Sequence, residues 1–141
     1  MVRATGHGAA GFVTALRGTT SSQVAFGTSR IVQSQFTVCS ATRYSGGTKQ
    51  RILSGADVNW LQGHWNGNAG VVFYNGWKTS VGDNVSPDTD WVIMCGANAG
   101  SQLKLLNGVS VGTSNDGDGN TALGISGGEN SDFEIAELVV W

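Results

Sequence analysis

Apolar and polar positions alternate over residues 35–44 (QFTVCSATRY), with Phe36, Val38, Ser40 and Thr42 on one face and Thr37, Cys39, Ala41 and Arg43 on the other. A period of two predicts a half-buried strand, and Ser45-Gly46-Gly47 ends it. The densest pattern runs over residues 60–77, WLQGHWNGNAGVVFYNGW. Extended runs at 60–65 and 69–75 flank Asn66-Gly67-Asn68, residues that supply the positive φ of a tight hairpin. With a two-residue loop, Trp60, Gln62 and His64 share a face with Val71 and Phe73, whereas Leu61, Trp65, Val72 and Tyr74 share the other. Gln62 and His64 argue that the first set faces out and that the second set is core. A hairpin covered on both sides, with every ring in the core, fits the same residues.

Shorter runs complete the pattern. Residues 12–17, 23–26, 51–53, 122–125 and 133–141 read as strands, 91–95 as an unbroken apolar strand, and 103–106 and 109–111 as a hairpin around Asn107-Gly108. No stretch of useful length has a period of 3.6, so the chain predicts about ten short strands and no helix. Turn spacing of this kind suggests an all-β, two-sheet antiparallel sandwich of jelly-roll type. Residues 79–90 are polar, hold the only proline, and read as a long surface loop. Within it Asn84-Val85-Ser86 is formally a glycosylation acceptor, against which the following Pro87 counts.

Composition narrows the class. Of 141 residues 22 are Gly and one is Pro, while 13% are charged, a balance that favours short strands joined by Gly-rich turns. A formal net charge of −2 without any Lys/Arg cluster argues against nucleic acid and against an anionic membrane surface as partners. No run of apolar residues is long enough for a membrane-spanning helix, and the first residues lack the apolar core of a signal peptide. The chain stops inside the apolar run 135–141, so the expectation is a single domain over 1–141 that is a piece of a longer protein.

Cys39 and Cys95 each sit in the middle of an apolar run, a placement that suits a bridge between neighbouring strands or two reduced core thiols. Phe36-Thr37-Val38-Cys39, then Trp91-Val92-Ile93-Met94-Cys95, then Leu103-Lys104-Leu105-Leu106-Asn107-Gly108 resembles the pentraxins and the wider laminin-G-like, concanavalin-A-like group. The closing Asp132-Phe133-Glu134-Ile135-Ala136-Glu137-Leu138-Val139-Val140-Trp141 is similar to that group's last strand, so the resemblance covers roughly residues 35–141. It implies a jelly-roll sandwich, a Cys39–Cys95 disulfide contributing about 2–5 kcal/mol, and an extracellular or cell-surface setting. The chain also departs from the pentraxin pattern. Gly96-Ala97-Asn98-Ala99-Gly100 lacks the Ser/Thr-Trp signature after the second Cys, and the calcium-binding acidic cluster has only the shorter Gly128-Glu129-Asn130-Ser131-Asp132 in its place. Pentraxin-style ligand binding is therefore not carried over.

Three constellations are candidates for chemistry. Asp116, Asp118 and Asn120 alternate as in the first half of a calcium loop, so calcium is a possible cofactor. Thr121 and Gly127 stand where a full loop needs Gly and a bidentate Glu, and a plain Asx/Gly turn fits as well. Asp132, Glu134 and Glu137 suggest a glycosidase carboxylate pair, but strand parity separates Glu137 from the other two, and solvated edge carboxylates are expected instead. His7 and His64 have no partner at metal-ligand or triad spacing. What remains is binding: Trp60, Gln62, His64, Asp57, Asn59, Asn75 and Trp77 combine rings for the C–H faces of a sugar with amides and a carboxylate for its hydroxyls. The expectation is a non-catalytic recognition module for a glycan or a protein. The alternative is a structural domain that packs against copies of itself or neighbouring domains.

Overall fold

A computed structural model describes residues 1–100, 103–112 and 116–141. The described residues form two antiparallel sheets from twelve strands: β1 (Val2–Gly6), β2 (Ala9–Gly18), β3 (Val24–Ala25), β4 (Thr37–Tyr44), β5 (Leu53–Gly55), β6 (Trp60–Trp65), β7 (Asn68–Tyr74), β8 (Val92–Ala97), β9 (Lys104–Leu106), β10 (Val109–Gly112), β11 (Leu123–Ile125) and β12 (Phe133–Val140). Seven strands pair in the order β1-β2-β12-β4-β8-β9-β10, and five in the order β3-β11-β5-β6-β7. The chain is thus an all-β sandwich, as the alternation predicts. β1 is an addition to the expected strands. Positive φ at Gly6, His7 and Gly8 turns the Gly-rich start back on itself, and Val2–Gly6 pairs with β2.

Alternation sorts the side chains between the sheets. Val38, Tyr44, Met94 and Phe133 from the larger sheet meet Leu53, Trp60, Val72, Tyr74 and Leu123 from the smaller one in a single core. Gln62 of β6 ties the two sheets together. Its Nε2 donates to the carbonyls of Val38 (3.1 Å) and Met94 (3.0 Å), and its Oε1 accepts from the Tyr74 hydroxyl at 2.5 Å. Glycine at position 96 is what admits this contact, because a Cβ there would overlap the Tyr74 hydroxyl.

Cys39 and Cys95 face each other across β4 and β8 and are joined by a disulfide spanning 56 residues. The bridge lies half-buried on the outer side of the larger sheet. On the same side Glu134 of β12 pairs with Arg17 of β2 and Arg43 of β4, its direct neighbours on either flank. Glu134 is buried on a central strand, which corrects the expectation of a solvated edge carboxylate. A bulge between Ile135 and Glu137 also returns Glu137 to the face of Glu134, so parity does not separate them.

The free edge of β7 is covered by residues 78–84, part of the expected surface loop. Lys78 N and Asn84 N donate to the carbonyls of Val72 and Ala69, while Thr79 Oγ1 and Asp83 Oδ1 accept from the amides of the same two residues. Covering an edge in this way removes a template for strand addition. The Asn84 side-chain amide donates to the carbonyls of Gly70 and Gly82.

Candidate functional site

The β6–β7 hairpin decides which rings meet solvent. Asn66 and Gly67 have φ of 48° and 82° and form the two-residue loop expected of an Asn-Gly turn. Pairing then runs Trp65↔Asn68 and His64↔Ala69, but next Gly63↔Val71, Gln62↔Val72, Leu61↔Phe73 and Trp60↔Tyr74. Gly70 is left out of the ladder as a β-bulge, at φ +85°. One extra residue moves every later position of β7 to the opposite face. Val72 and Tyr74 therefore join Trp60, Gln62 and His64 on the inner side, and Phe73 turns outward.

This corrects the expected ligand-facing edge. Trp60, Gln62 and His64 are each 0% exposed and lie between the sheets, out of reach of a ligand at the surface. Trp60 stacks on Tyr74 with ring centroids 5.0 Å apart, and His64 packs edge-on against Tyr44 at 4.5 Å. Thr42 Oγ1 is 3.3 Å from His64 Nδ1, while His64 Nε2 and Trp60 Nε1 are buried without a hydrogen-bond partner. Burial pushes the His64 pKa down to about 3, so the imidazole is neutral. Leu61, Val72 and Tyr74 of the expected core set are buried, and Trp65 is half-buried on the outer side.

The other four expected residues are at the surface. Trp77 folds back beside Phe73 through a bridge pair, and its ring meets those of Phe73 and Trp65, both at 5.2 Å in edge-to-face geometry. These three rings are half-buried on the outer side of β6 and β7. Leu61 and Val71 point to the same side and are fully buried. At the strand ends a hydrogen-bonded string adjoins the rings. Arg51 Nη1 donates to Asn59 Oδ1 (2.8 Å), Asn75 N to Asn59 O (2.9 Å), and Asn75 Nδ2 to Asp118 Oδ2 (2.6 Å). Arg51 Nε also lies 3.0 Å from Glu129 Oε1, within ion-pair distance but off the line of a hydrogen bond. Asp57 stands apart from the rings and is engaged within the fold. It accepts from Thr121 Oγ1 (2.5 Å) and Ala122 N (3.1 Å) and pairs with Arg30, and the Thr121 bond foremost holds its carboxyl below the usual range.

Phe73 and Trp65 were not among the residues expected to bind. The signal that finds Phe73 is Gly70, since a glycine inside a strand pattern marks a bulge and hence a change of phase, whereas Trp65 keeps its phase and is met only through Trp77. The residues expected to hold calcium have other partners. Asp116 binds Lys78 Nζ at 2.8 Å, a bond that lowers its pKa, and Asp118 binds Asn75. Asn120 sits at φ +56° with its backbone N–H donating to Gln33 O, and Asn115, which opens the run Asn-Asp-Gly-Asp-Gly-Asn, is outside the described residues. Among the described residues no three His, Cys, Asp or Glu side chains gather as a metal site, and no helix is long and apolar enough to cross a membrane.

No protein-family model, curated protein or solved structure matches the chain.

Proposed function

We propose that the chain is a non-catalytic recognition module of laminin-G-like, jelly-roll type, carried by a secreted or cell-surface protein, and that it binds a glycan on the outer side of the β6–β7 hairpin. One observation carries the reading: three half-buried rings, Trp65, Phe73 and Trp77, cluster on the outer side of the hairpin, and Asn59 and Asn75 stand exposed at the strand ends next along the chain from Trp60 and Tyr74. Ring faces suit the C–H surface of a pyranose, and amides at a ring's edge suit its hydroxyls. A non-catalytic role is supported by the state of the strongest candidate groups. Glu134 is bound between two guanidinium groups, and His64 is sealed in the core and neutral. The cross-strand disulfide supports an oxidising, extracellular setting.

A glycan array probed with the wild-type chain and with Trp77→Ala tests the proposal. Wild type is expected to retain one glycan class and Trp77→Ala to lose it, with both proteins folded by circular dichroism. Absence of any glycan signal from wild type, or equal binding by Trp77→Ala, contradicts it.

A further inference from the structure

A two-layer sandwich ordinarily turns polar side chains outward, yet the outer side of the seven-stranded sheet is apolar over its central rows. Pairing places Val139, the disulfide and Leu105 in one row, and Glu137, Ala41 and Ile93 in the next. Ile93 is 55% exposed and Trp141, beyond the end of β12, is 64% exposed. Glu137 is the one ionisable group in these two rows. The charged row beyond them is closed on itself, with Arg17 and Arg43 both bound to Glu134.

Beside Ile93 lies an open hollow of about 450 Å³, with Val13, Ala41, Trp91 and Ala136 among its lining residues. Its lining carries no converging polar side chains of the kind that orient a small polar ligand. Asn107 is the polar side chain there, and its Oδ1 already accepts from Ile93 N at 2.8 Å. The face therefore combines a projecting aliphatic side chain with an adjacent apolar hollow lined largely by small residues.

We propose that this face is the contact surface of a two-fold dimer of the chain, in which Ile93 of each copy enters the hollow of the other. A two-fold contact needs projection and hollow on one patch, so that each residue's contact is returned by its partner. The area fits. At about 4.8 Å between strands and about 3.4 Å per residue, β2, β12, β4, β8 and β9 over the span of β4, the two apolar rows together with the Thr37 and Arg43 rows as their polar rim, give roughly 600 Å² per copy. The roughly 1,200 Å² buried in the pair is the lower end of stable interfaces. A charged partner finds nothing on these rows to pair with except Glu137, whereas a second copy brings an equal apolar face.

Sedimentation equilibrium from low micromolar to millimolar concentration is the test, with Ile93→Asp and Val81→Asp alongside wild type. Val81 is exposed in the segment covering β7, so its variant adds the same charge away from the face. Wild type and Val81→Asp are expected to rise from 14.6 kDa towards twice that mass and to level there. Ile93→Asp, which changes an exposed side chain and keeps the wild-type circular dichroism, is expected to associate at least about tenfold more weakly. A constant 14.6 kDa for wild type, growth past the dimer without a plateau, or wild-type association by Ile93→Asp overturns the proposal.

Discussion

His64 shows how little a residue's polarity says about its place. It sits between the sheets with Nε2 unpartnered and a pKa of about 3, against 6.5 in an unfolded chain. Protons therefore bind the unfolded state first, and stability is present above pH 6.5 and falls as the pH drops below it. The slope from this one residue is about 1.4 kcal/mol per pH unit. Urea unfolding at pH 7 and pH 5 should show that loss, and His64→Leu should remove most of it. Equal pH dependence in the two proteins contradicts the burial argument. Gln62 departs from the expected outward position for the same reason, since its partners are the carbonyls of Val38 and Met94, more than twenty residues away in sequence. Nothing within its own strand announces them. Alanine at Trp60 or His64, the natural probe of an outward edge, tests the core instead.

At the scale of elements, the hairpin was legible and its faces were not. Asn66-Gly67 announces the turn, and the alternation on either side announces the strands. The bulge at Gly70 then reverses the phase of half of β7, and with it the roles of Phe73 and Tyr74. A Cβ at Gly70 would lie 2.6 Å from Leu106 Cδ2, on a backbone with φ +85°. Gly70→Ala is accordingly expected to cost about 1–3 kcal/mol through strain and overpacking. Tryptophan-detected urea unfolding measures this, and an unchanged midpoint contradicts the bulge. β12 repeats the lesson, because its bulge brings Glu137 back to the side of Glu134. The segment over residues 78–84 was legible as a loop, but its bonds along the edge of β7 depend on which strand ends the sheet. No local pattern fixes that order.

The whole molecule follows from its alternation, its glycines and its two cysteines. Two sheets without helices were expected and are found, with the Cys39 and Cys95 strands adjacent. The disulfide closes a loop that contains β5, β6 and β7, three of the five strands of the opposite sheet. Restricting that loop in the unfolded chain stabilises the native one, so Cys39→Ala/Cys95→Ala should lose about 2–5 kcal/mol in urea unfolding. A loss below about 1 kcal/mol contradicts this role. Which side of the larger sheet faces out was not legible, because Thr37, Cys39 and Ala41 mark the outer side of β4 no more clearly than Ser40 and Thr42 mark its inner side. The five tryptophans divide between the possibilities. Trp60 is in the core, Trp65 and Trp77 flank the proposed glycan surface, and Trp91 and Trp141 lie on the outer side of the larger sheet. Their indole N–H signals in a proton–nitrogen correlation spectrum, followed while the glycan bound on the array is titrated in, test the central claim most directly. Shifts at Trp65 and Trp77 with Trp60, Trp91 and Trp141 unmoved are predicted, and shifts at Trp91 or Trp141 with Trp65 and Trp77 unmoved would contradict it.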